Sequence, residues 1–277
     1  MKIRIVADSS ANLFCLPGAD FAAVPMRILA GDQEYVDDSD LDVPEMLREL
    51  GTYKGKSGTA CPGIGDWLEA FADADMVVGA ALTSKLSGCY SAGMMAAQEY
   101  MEQHPGRRVF LLDTLSTGPE MELLLERYRD KAAEGLDFDA ICEDIQDYLK
   151  RTHLMFALES LQNFVNNGRV SPAVAAVVKV LGISIVGKAS DTGELQPLHK
   201  VRGGKRAVRQ IFENMQKEGY RGGKVRIRHV YNPEAAEAMA QLIREHYPDS
   251  DVQVGINKGL CCYYAEKGGL LVGFESE

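Results

Sequence analysis

The sequence predicts an α/β protein of two domains: an N-terminal parallel, Rossmann-like sheet with helices on both faces, then an α/β domain with a mixed sheet. In the first part, short unbroken apolar runs alternate with helices, which is typical of buried parallel strands. In the second part, a strand–turn–strand pattern around Asp191-Thr192-Gly193 predicts a hairpin among further helices. The length of 277 residues suits two domains, which we place at 1–155 and 156–277.

The predicted strands and helices of the first part follow in chain order. Its apolar runs are Lys2–Ala7, Phe21–Leu29, Met76–Leu82 and Arg107–Asp113. Asp42 can cap a helix that tolerates Pro44 in its first turn and stops near Gly51. A second helix has an apolar face of Trp67, Ala70 and Phe71. Further helices are predicted near Ser87–Gln103, Pro119–Glu134 and Asp139–Arg151.

The second part mixes a hairpin with helical crossovers. Strands are predicted over Val180–Lys188, Leu195–Val201, Lys224–Val230, Val252–Ile256 and Leu270–Phe274. Helices are predicted near Lys205–Lys217, from Pro233, and between the last two strands. A hairpin needs antiparallel pairing and helical crossovers join parallel strands, so this sheet should be mixed.

Charge and composition limit the function classes. The net charge is −10 and the pI about 5.1, so nucleic acid is not an expected partner. One basic cluster is either a solvated helix start or a docking surface for an acidic partner such as a kinase domain: Lys200, Arg202, Lys205, Arg206, Arg209. No signal-peptide pattern opens the chain, and the longest apolar stretch is interrupted by Lys179. We therefore expect a cytoplasmic protein without an integral membrane segment, whose six cysteines are free thiols.

The sequence contains no complete form of the common catalytic and cofactor-binding motifs. Gly182–Lys188 has phosphate-loop spacing, but Ala189 stands where a Ser or Thr must hold magnesium. Gly63-Ile-Gly65 lacks the third glycine of a dinucleotide fingerprint, and the five histidines form no metal-binding pair. We therefore expect no catalytic residue, no metal and no cofactor.

Hydroxyl and glycine residues instead concentrate in four polar clusters, three of which follow predicted strands. The clusters are Asp8-Ser9-Ser10, Ser57–Pro62, Thr83–Tyr90 and Asp113–Ser116. Ligands of open α/β sheets bind at the carboxyl ends of the strands. Ser87 also opens a predicted helix, where it can either cap the helix or help backbone N–H groups to bind an anion.

These clusters resemble motifs of the DegV family of bacterial lipid-binding proteins, in the same order along nearly the whole chain. The similar segments are Asp8-Ser9, Val24-Pro25-Met26, Ser57-Gly58-Thr59-Ala60-Cys61-Pro62, Leu86-Ser87-Gly88-Cys89-Tyr90-Ser91-Ala92, Leu112-Asp113-Thr114, Asn167-Gly168-Arg169-Val170 and Lys200-Val201-Arg202. The segment from Leu86 to Ala92 is the most specific match.

The resemblance implies that one long-chain fatty acid, such as palmitate, lies in a tunnel between the two domains, with no chemistry by the protein itself. It implies that Thr59 and Ser87 hold the carboxylate and that Arg169 lies near it. With Gly88, Asn257, Ser9 and Ser10, these are the candidate ligand-binding residues. The alternative for Arg169 is a structural role, in which it pairs with a helix carboxylate. Some family members present the bound acid to a separate fatty acid kinase, which is therefore an expected partner.

The sequence differs from the family at residues expected near the carboxylate of the ligand. These differences leave alternative functions open. Asn257 stands where the family often has His; Asn can hydrogen-bond a carboxylate but carries no charge. Cys61 and Cys89 replace a Gln and a Thr of the two loops, and are expected to be packing residues. The alternatives are a carrier of another acidic amphiphile and a dihydroxyacetone-kinase-like substrate subunit. The latter needs a histidine that no matching loop supplies.

Overall fold

The structure, a computed structural model, describes residues 3–170 and 183–277. The strands are β1 Ile3–Asp8, β2 Asp20–Val24, β3 Arg27–Ala30, β4 Gln33–Val36, β5 Ser57–Ala60, β6 Met76–Ala81, β7 Arg108–Asp113, β8 Thr152–Leu158, β9 Ile183–Ala189, β10 Leu195–Arg202, β11 Lys224–His229, β12 Asp251–Ile256 and β13 Leu270–Glu275. The helices are α1 Val43–Thr52, α2 Ile64–Phe71, α3 Cys89–Gln103, α4 Pro119–Ala133, α5 Phe138–Leu149, α6 Gln162–Asn166, α7 Gly204–Lys217, α8 Pro233–His246 and α9 Gly259–Ala265.

A four-stranded parallel sheet in the order β2-β1-β6-β7 forms the first layer, as predicted. Neighbouring residues of one strand face opposite sides of the sheet. Val6 therefore packs with Trp67 of α2 and Tyr100 of α3, whereas Ile5 packs in a separate core with residues of α4 and α5. Helices thus cover both faces, which explains why these strands are unbroken apolar runs.

A six-stranded mixed sheet in the order β10-β9-β8-β13-β11-β12 forms the second layer. The predicted hairpin is β9 and β10, and only β11 and β12 pair in parallel in this described sheet. The start of the strand predicted from Val180 lies outside the described residues. β8, in the middle of the sheet, was not predicted, although Leu154–Leu158 is an unbroken apolar run. The predicted division after residue 155 falls within β8, and it stays a prediction.

A small antiparallel sheet in the order β4-β3-β5 was also not predicted. The apolar run Phe21–Leu29 divides at Pro25, which lacks the N–H that a continuing ladder needs. Thr59, which we expected in a loop, lies in β5 opposite Ile28 of β3. A strand holds this side chain in a fixed direction, and a loop would hold it less firmly.

Capping explains where the helices near the site begin. Asp42 accepts a hydrogen bond from the backbone N–H of Glu45 at 2.9 Å, as the sequence predicts. The helix expected from Ser87 begins instead at Cys89, with Gly88 as its N-cap residue. Ser87 therefore lies in the loop before α3, where its side chain is available to the space beyond the strand ends. Among the described residues, no helix is long and apolar enough to cross a membrane.

Candidate functional site

A cavity of about 310 Å³ lies between the strand-end loops of the parallel sheet and one face of the mixed sheet. Its volume is at the lower end of the range of small-molecule pockets, about 300–1,000 Å³. The described elements that line it are the loops after β5, β6 and β7, strand β8, the turn of the β9–β10 hairpin, and helices α6 and α9. Ligand pockets of α/β proteins are expected at this edge of a parallel sheet.

The wall formed by the mixed sheet is apolar. Leu154, Phe156 and Leu158 alternate along β8 and therefore face the same side, into the cavity. Leu271 of β13 pairs with Phe156 and also faces the cavity. The intervening Met155 packs into the core on the other side of the sheet. β8 therefore supplies a hydrophobic surface suited to an acyl chain.

One part of the cavity wall is polar and contains Thr59 and Ser87. The backbone N–H of Thr59 donates to Asn167 Oδ1 at 3.1 Å, and its Oγ1 lies 2.8 Å from the hydroxyl oxygen of Tyr264. Ser87 Oγ accepts a hydrogen bond from the backbone N–H of Cys89 at 3.2 Å. The Ser87 hydroxyl hydrogen remains available to a ligand, because its oxygen accepts the bond from Cys89, and the Thr59 hydrogen is available where Tyr264 is the donor of their shared bond.

Arg169 reaches the same wall from the segment after α6. Its Nε donates to the backbone oxygen of Leu86 at 2.7 Å, and its guanidinium also bonds the backbone oxygen of Asn167. Arg169 is exposed and lines the cavity, as does Gly88. The structure therefore brings four of the seven candidate residues to one cavity: Thr59, Ser87, Gly88, Arg169.

The other three candidates are not among the described residues that line the cavity. Ser9 Oγ accepts a hydrogen bond from the backbone N–H of Met26 at 3.0 Å, and Ser10 Oγ donates to Met121 Sδ at 3.3 Å. Both hydroxyls thus have partners inside the protein. Asn257 is 1% exposed, and its Oδ1 accepts from Asn12 Nδ2 at 2.9 Å. Its own Nδ2 has no hydrogen-bond partner among the described residues.

Asp8 is buried next to the cavity and links the loops that follow β1 and β6. Its carboxylate accepts the backbone N–H groups of Ser10 at 3.0 Å and Leu82 at 2.6 Å, and the Cys89 thiol at 3.3 Å. Burial raises the pKa of Asp8, while these hydrogen bonds act against the rise. Burial also raises the pKa of Cys89, which keeps this thiol protonated and agrees with the packing role expected for it. Cys61, by contrast, is exposed and lines the cavity.

Sequence reasoning missed the side chains that fix Thr59. Tyr264 lines the cavity beside Thr59, and Tyr263 bonds Ser57 Oγ at 2.8 Å through its hydroxyl. The Tyr263 hydroxyl also accepts from Asn167 Nδ2 at 2.9 Å. The signal in the sequence was weak, because two tyrosines in a short apolar helix are indistinguishable from packing residues. Within the described ranges, no group of three or more His, Cys, Asp or Glu side chains could hold a metal ion.

Comparison with known proteins identifies the family. A family profile described as an uncharacterised protein of the DegV family matches residues 2–276. A DegV domain-containing protein of Streptococcus pneumoniae is 37% identical over 279 residues, covering 99% of both chains. These matches span nearly the whole chain, so they concern both sheets and the cavity between them.

Two solved structures are similar over the full fold. One is a DegV family protein of Eubacterium eligens loaded with heptadecanoic acid, with a TM-score of 0.97 and 42% identity, covering 99% of this chain and 100% of that one. The other is the Fatty Acid Kinase (Fak) B3 protein of Streptococcus pneumoniae loaded with linoleic acid, with a TM-score of 0.98, 37% identity and full coverage of both chains. The match of the profile, the sequence relatives and these two structures shows that the chain belongs to the DegV family.

Proposed function

We propose that the protein binds one long-chain fatty acid in the cavity between its two sheets and acts as a carrier of that acid. Thr59 and Ser87 hold the carboxylate, Arg169 and Gly88 border it, and the acyl chain runs along the β8 wall. The observation that carries this proposal is a single cavity that joins an apolar wall to a cluster of hydroxyl groups. Relatives that are 42% and 37% identical hold heptadecanoic acid and linoleic acid, which supports the same ligand class here.

The physical chemistry of the cavity suits such a ligand. Each buried CH₂ group contributes about 0.8 kcal/mol, so the apolar wall would supply most of the affinity. A carboxylate is costly to bury unless its oxygens are hydrogen-bonded. Two hydroxyls and a nearby guanidinium offer charge-assisted bonds, which are the strong kind. Asn257 Nδ2, which has no hydrogen-bond partner in the part of the chain that the structure describes, is a further buried donor, and we propose that it contributes to the same polar environment.

A carrier needs a partner, and we propose that a separate fatty acid kinase receives the bound acid. The Streptococcus pneumoniae relative is the B3 protein of such a system. The basic cluster at the end of β10 and the start of α7 is a candidate docking surface, because its five cationic side chains are exposed: Lys200, Arg202, Lys205, Arg206, Arg209. We propose a cytoplasmic location and no catalytic residue in this chain.

The first test is mass spectrometry of the purified protein before and after denaturation. We expect one fatty acid per chain in the native spectrum and its release on denaturation. A protein that is empty and takes up neither palmitate nor oleate would contradict the proposal. A stoichiometric ligand of another mass would instead identify a different acidic amphiphile. Turnover of a substrate with ATP by the isolated protein would support the enzyme alternative.

The head-group assignment is tested by the double variant Thr59→Ala with Ser87→Ala. A hydrogen bond to a charged group contributes about 1.5–3 kcal/mol, so we expect fatty acid binding to weaken at least about tenfold. A matched control is Ser39→Ala with Thr52→Ala, which removes two exposed hydroxyls outside the cavity. Equal lipid content in the two double variants, both folded by circular dichroism, would reject the assignment of the carboxylate to Thr59 and Ser87.

A further inference from the structure

We propose that Tyr264 is a positioning residue for the ligand carboxylate: its hydroxyl donates to Thr59 Oγ1, which directs the hydrogen of the Thr59 hydroxyl at the carboxylate. This inference rests on the proposed function and extends it to a residue that carries no assigned role. Tyr264 Oη and Thr59 Oγ1 are 2.8 Å apart, although the two residues are separated by 205 positions in the chain. Both side chains line the same cavity.

The direction of this hydrogen bond follows from the partners of each group. Among the described residues, the Tyr264 hydroxyl has Thr59 Oγ1 as its hydrogen-bond partner. A Thr hydroxyl has one hydrogen to give and can accept a bond at the same time. With an anionic carboxylate in the cavity, the arrangement of lowest energy has Tyr264 donating to Thr59 and Thr59 donating to the ligand. Hydrogen bonds in such a chain polarise and strengthen one another in a site of low dielectric.

Packing holds the Tyr264 ring in place independently of its hydroxyl. The ring centroid lies 4.7 Å from that of Phe164 and 5.0 Å from that of Tyr263. Burial raises the pKa of the Tyr264 hydroxyl, so it stays protonated and able to donate near neutral pH. The backbone of Thr59 is fixed separately, by its N–H bond to Asn167 and its pairing with Ile28. Loss of the tyrosine hydroxyl should therefore leave the Thr59 side chain in place but less constrained in direction.

Tyr263 offers a matched control, because it is the neighbouring residue and loses the same atom in a Phe variant. Its hydroxyl bonds Ser57 and Asn167 instead of the Thr59 hydroxyl. It is 1% exposed and borders a surface groove on the other side of α9, and it is not among the described residues that line the cavity. The Tyr263 hydroxyl reaches Thr59 only through Asn167, which binds the Thr59 backbone N–H. Tyr263→Phe therefore reports a loosening of α9 or of the Thr59 backbone, whereas a lost direction of the Thr59 hydroxyl hydrogen affects Tyr264→Phe alone.

The experiment compares Tyr264→Phe, Tyr263→Phe, Thr59→Ala and the double variant Thr59→Ala with Tyr264→Phe in the full chain. Dissociation constants are measured for oleate and for oleyl alcohol, which has the same chain without the carboxylate. We expect Tyr264→Phe to weaken oleate binding about threefold to tenfold and to change oleyl alcohol binding less than twofold. In the Thr59→Ala background the same change should have no further effect, because the group it positions is gone.

Each outcome bears on the inference. If the wild type and Tyr264→Phe bind oleate equally well, the positioning role of Tyr264 is rejected and the proposed function is not affected. Three results would show a structural role for Tyr264 and would reject positioning. The first is an equal loss of affinity for oleate and oleyl alcohol, and the second is an equal loss of oleate affinity in the two tyrosine variants. The third is a loss in the double variant that equals the sum of the two single losses. A wild type that binds no oleate removes the proposed function and this inference together. Selective loss of oleate, with coupling to Thr59, supports positioning.

Discussion

The two halves of the molecule contact each other at two junctions, one along α4 and one at the cavity, and the two junctions differ in chemistry. On one side α4 packs on β11 through a row of ion pairs, in which Glu122, Glu126 and Asp130 face Arg228, Arg226 and Lys224. Carboxylates four residues apart on a helix meet cations two residues apart on a strand, because both spacings place side chains on one face. Arg226 is 1% exposed and also bonds Asp251.

At the cavity, the contacts between the two parts of the molecule are mostly neutral hydrogen bonds. Thr83 Oγ1 donates to the backbone oxygen of Gly193 at 2.9 Å, which joins the loop after β6 to the turn of the β9–β10 hairpin. Arg169 Nε makes another of these contacts, to the backbone oxygen of Leu86. Breaking neutral contacts costs less than separating buried charges. We therefore expect the cavity side to open for ligand exchange while the α4 side stays closed.

The largest effect is expected from the charged junction. Glu122 is 1% exposed and bonds Arg228 through both carboxylate oxygens. Glu122→Ala leaves this arginine without its buried partner, which should lower the free energy of unfolding by about 3–5 kcal/mol. The measurement is urea unfolding of the wild type and the variant, followed by circular dichroism.

Asp130→Ala is the control for this prediction, because it removes a carboxylate at the exposed end of the same row. Asp130 is 35% exposed and lies 3.2 Å from Lys224 Nζ, and such partly exposed pairs contribute about 0–1 kcal/mol. If Glu122→Ala and Asp130→Ala unfold at the same urea concentration, the row is not the firm junction that we describe.

A second prediction concerns a carboxyl group of α4 that has no cationic partner among the described residues. Burial raises the pKa of Glu120 to about 7, although the hydrogen bond that Thr152 Oγ1 donates to Glu120 Oε1 at 3.0 Å acts against the rise. Between its ordinary pKa of 4.5 and about 7, the folded protein holds a proton that the unfolded chain releases. The free energy of unfolding should therefore fall as the pH rises through this window.

Glu120→Gln keeps the size of this side chain and removes its titration. The difference in unfolding free energy between the variant and the wild type should shift in favour of the variant, by about 2 kcal/mol from pH 5 to pH 8. The comparison of the two proteins cancels the contributions of other groups, such as Asp37, whose pKa burial raises to about 6. A difference that stays constant with pH would show that Glu120 is already ionised at pH 5.

The sequence predicted most of the fold because its strands are marked by uninterrupted apolar runs. The parallel sheet, the hairpin and the Asp42 cap of α1 were predicted correctly from such local signals, whereas the helix expected from Ser87 begins at Cys89. β8 was missed, although the run from Leu154 to Leu158 carries the same signal, since the turn that separates it from α5 consists of Lys150 and Arg151, which are not typical turn formers. The small sheet was missed because Ser57–Ala60 has too few apolar side chains to suggest a strand.

The candidate site was only partly accessible to sequence reasoning. Loop motifs indicated Thr59, Ser87 and Arg169, and the structure places all three on one cavity. Tyr264 and Leu271 come from the far end of the chain and reach the cavity only because β13 inserts between β8 and β11. Such long-range placement depends on the order of strands in a sheet, which no local pattern encodes. The roles of Ser9, Ser10 and Asn257 as ligand residues stay a prediction.

The smallest expected effect tests the neutral junction at the cavity. Gly193 has a φ of +84°, and a Cβ there would lie 2.2 Å from Thr83 Oγ1. Gly193→Ala should therefore push the hairpin turn away from the loop after β6, at a cost of about 1 kcal/mol beyond backbone strain. Gly135→Ala is the control, because Gly135 has a φ of +81° and, its chain neighbours aside, no atom of the described residues lies within 4 Å of its Cβ position. We expect the Gly193 variant alone to release bound fatty acid several-fold faster, measured by transfer of oleate to vesicles. Equal release rates in the two glycine variants would mean that the ligand leaves by a route that does not separate Thr83 from Gly193, and the contrast between the two junctions would then not explain ligand exchange.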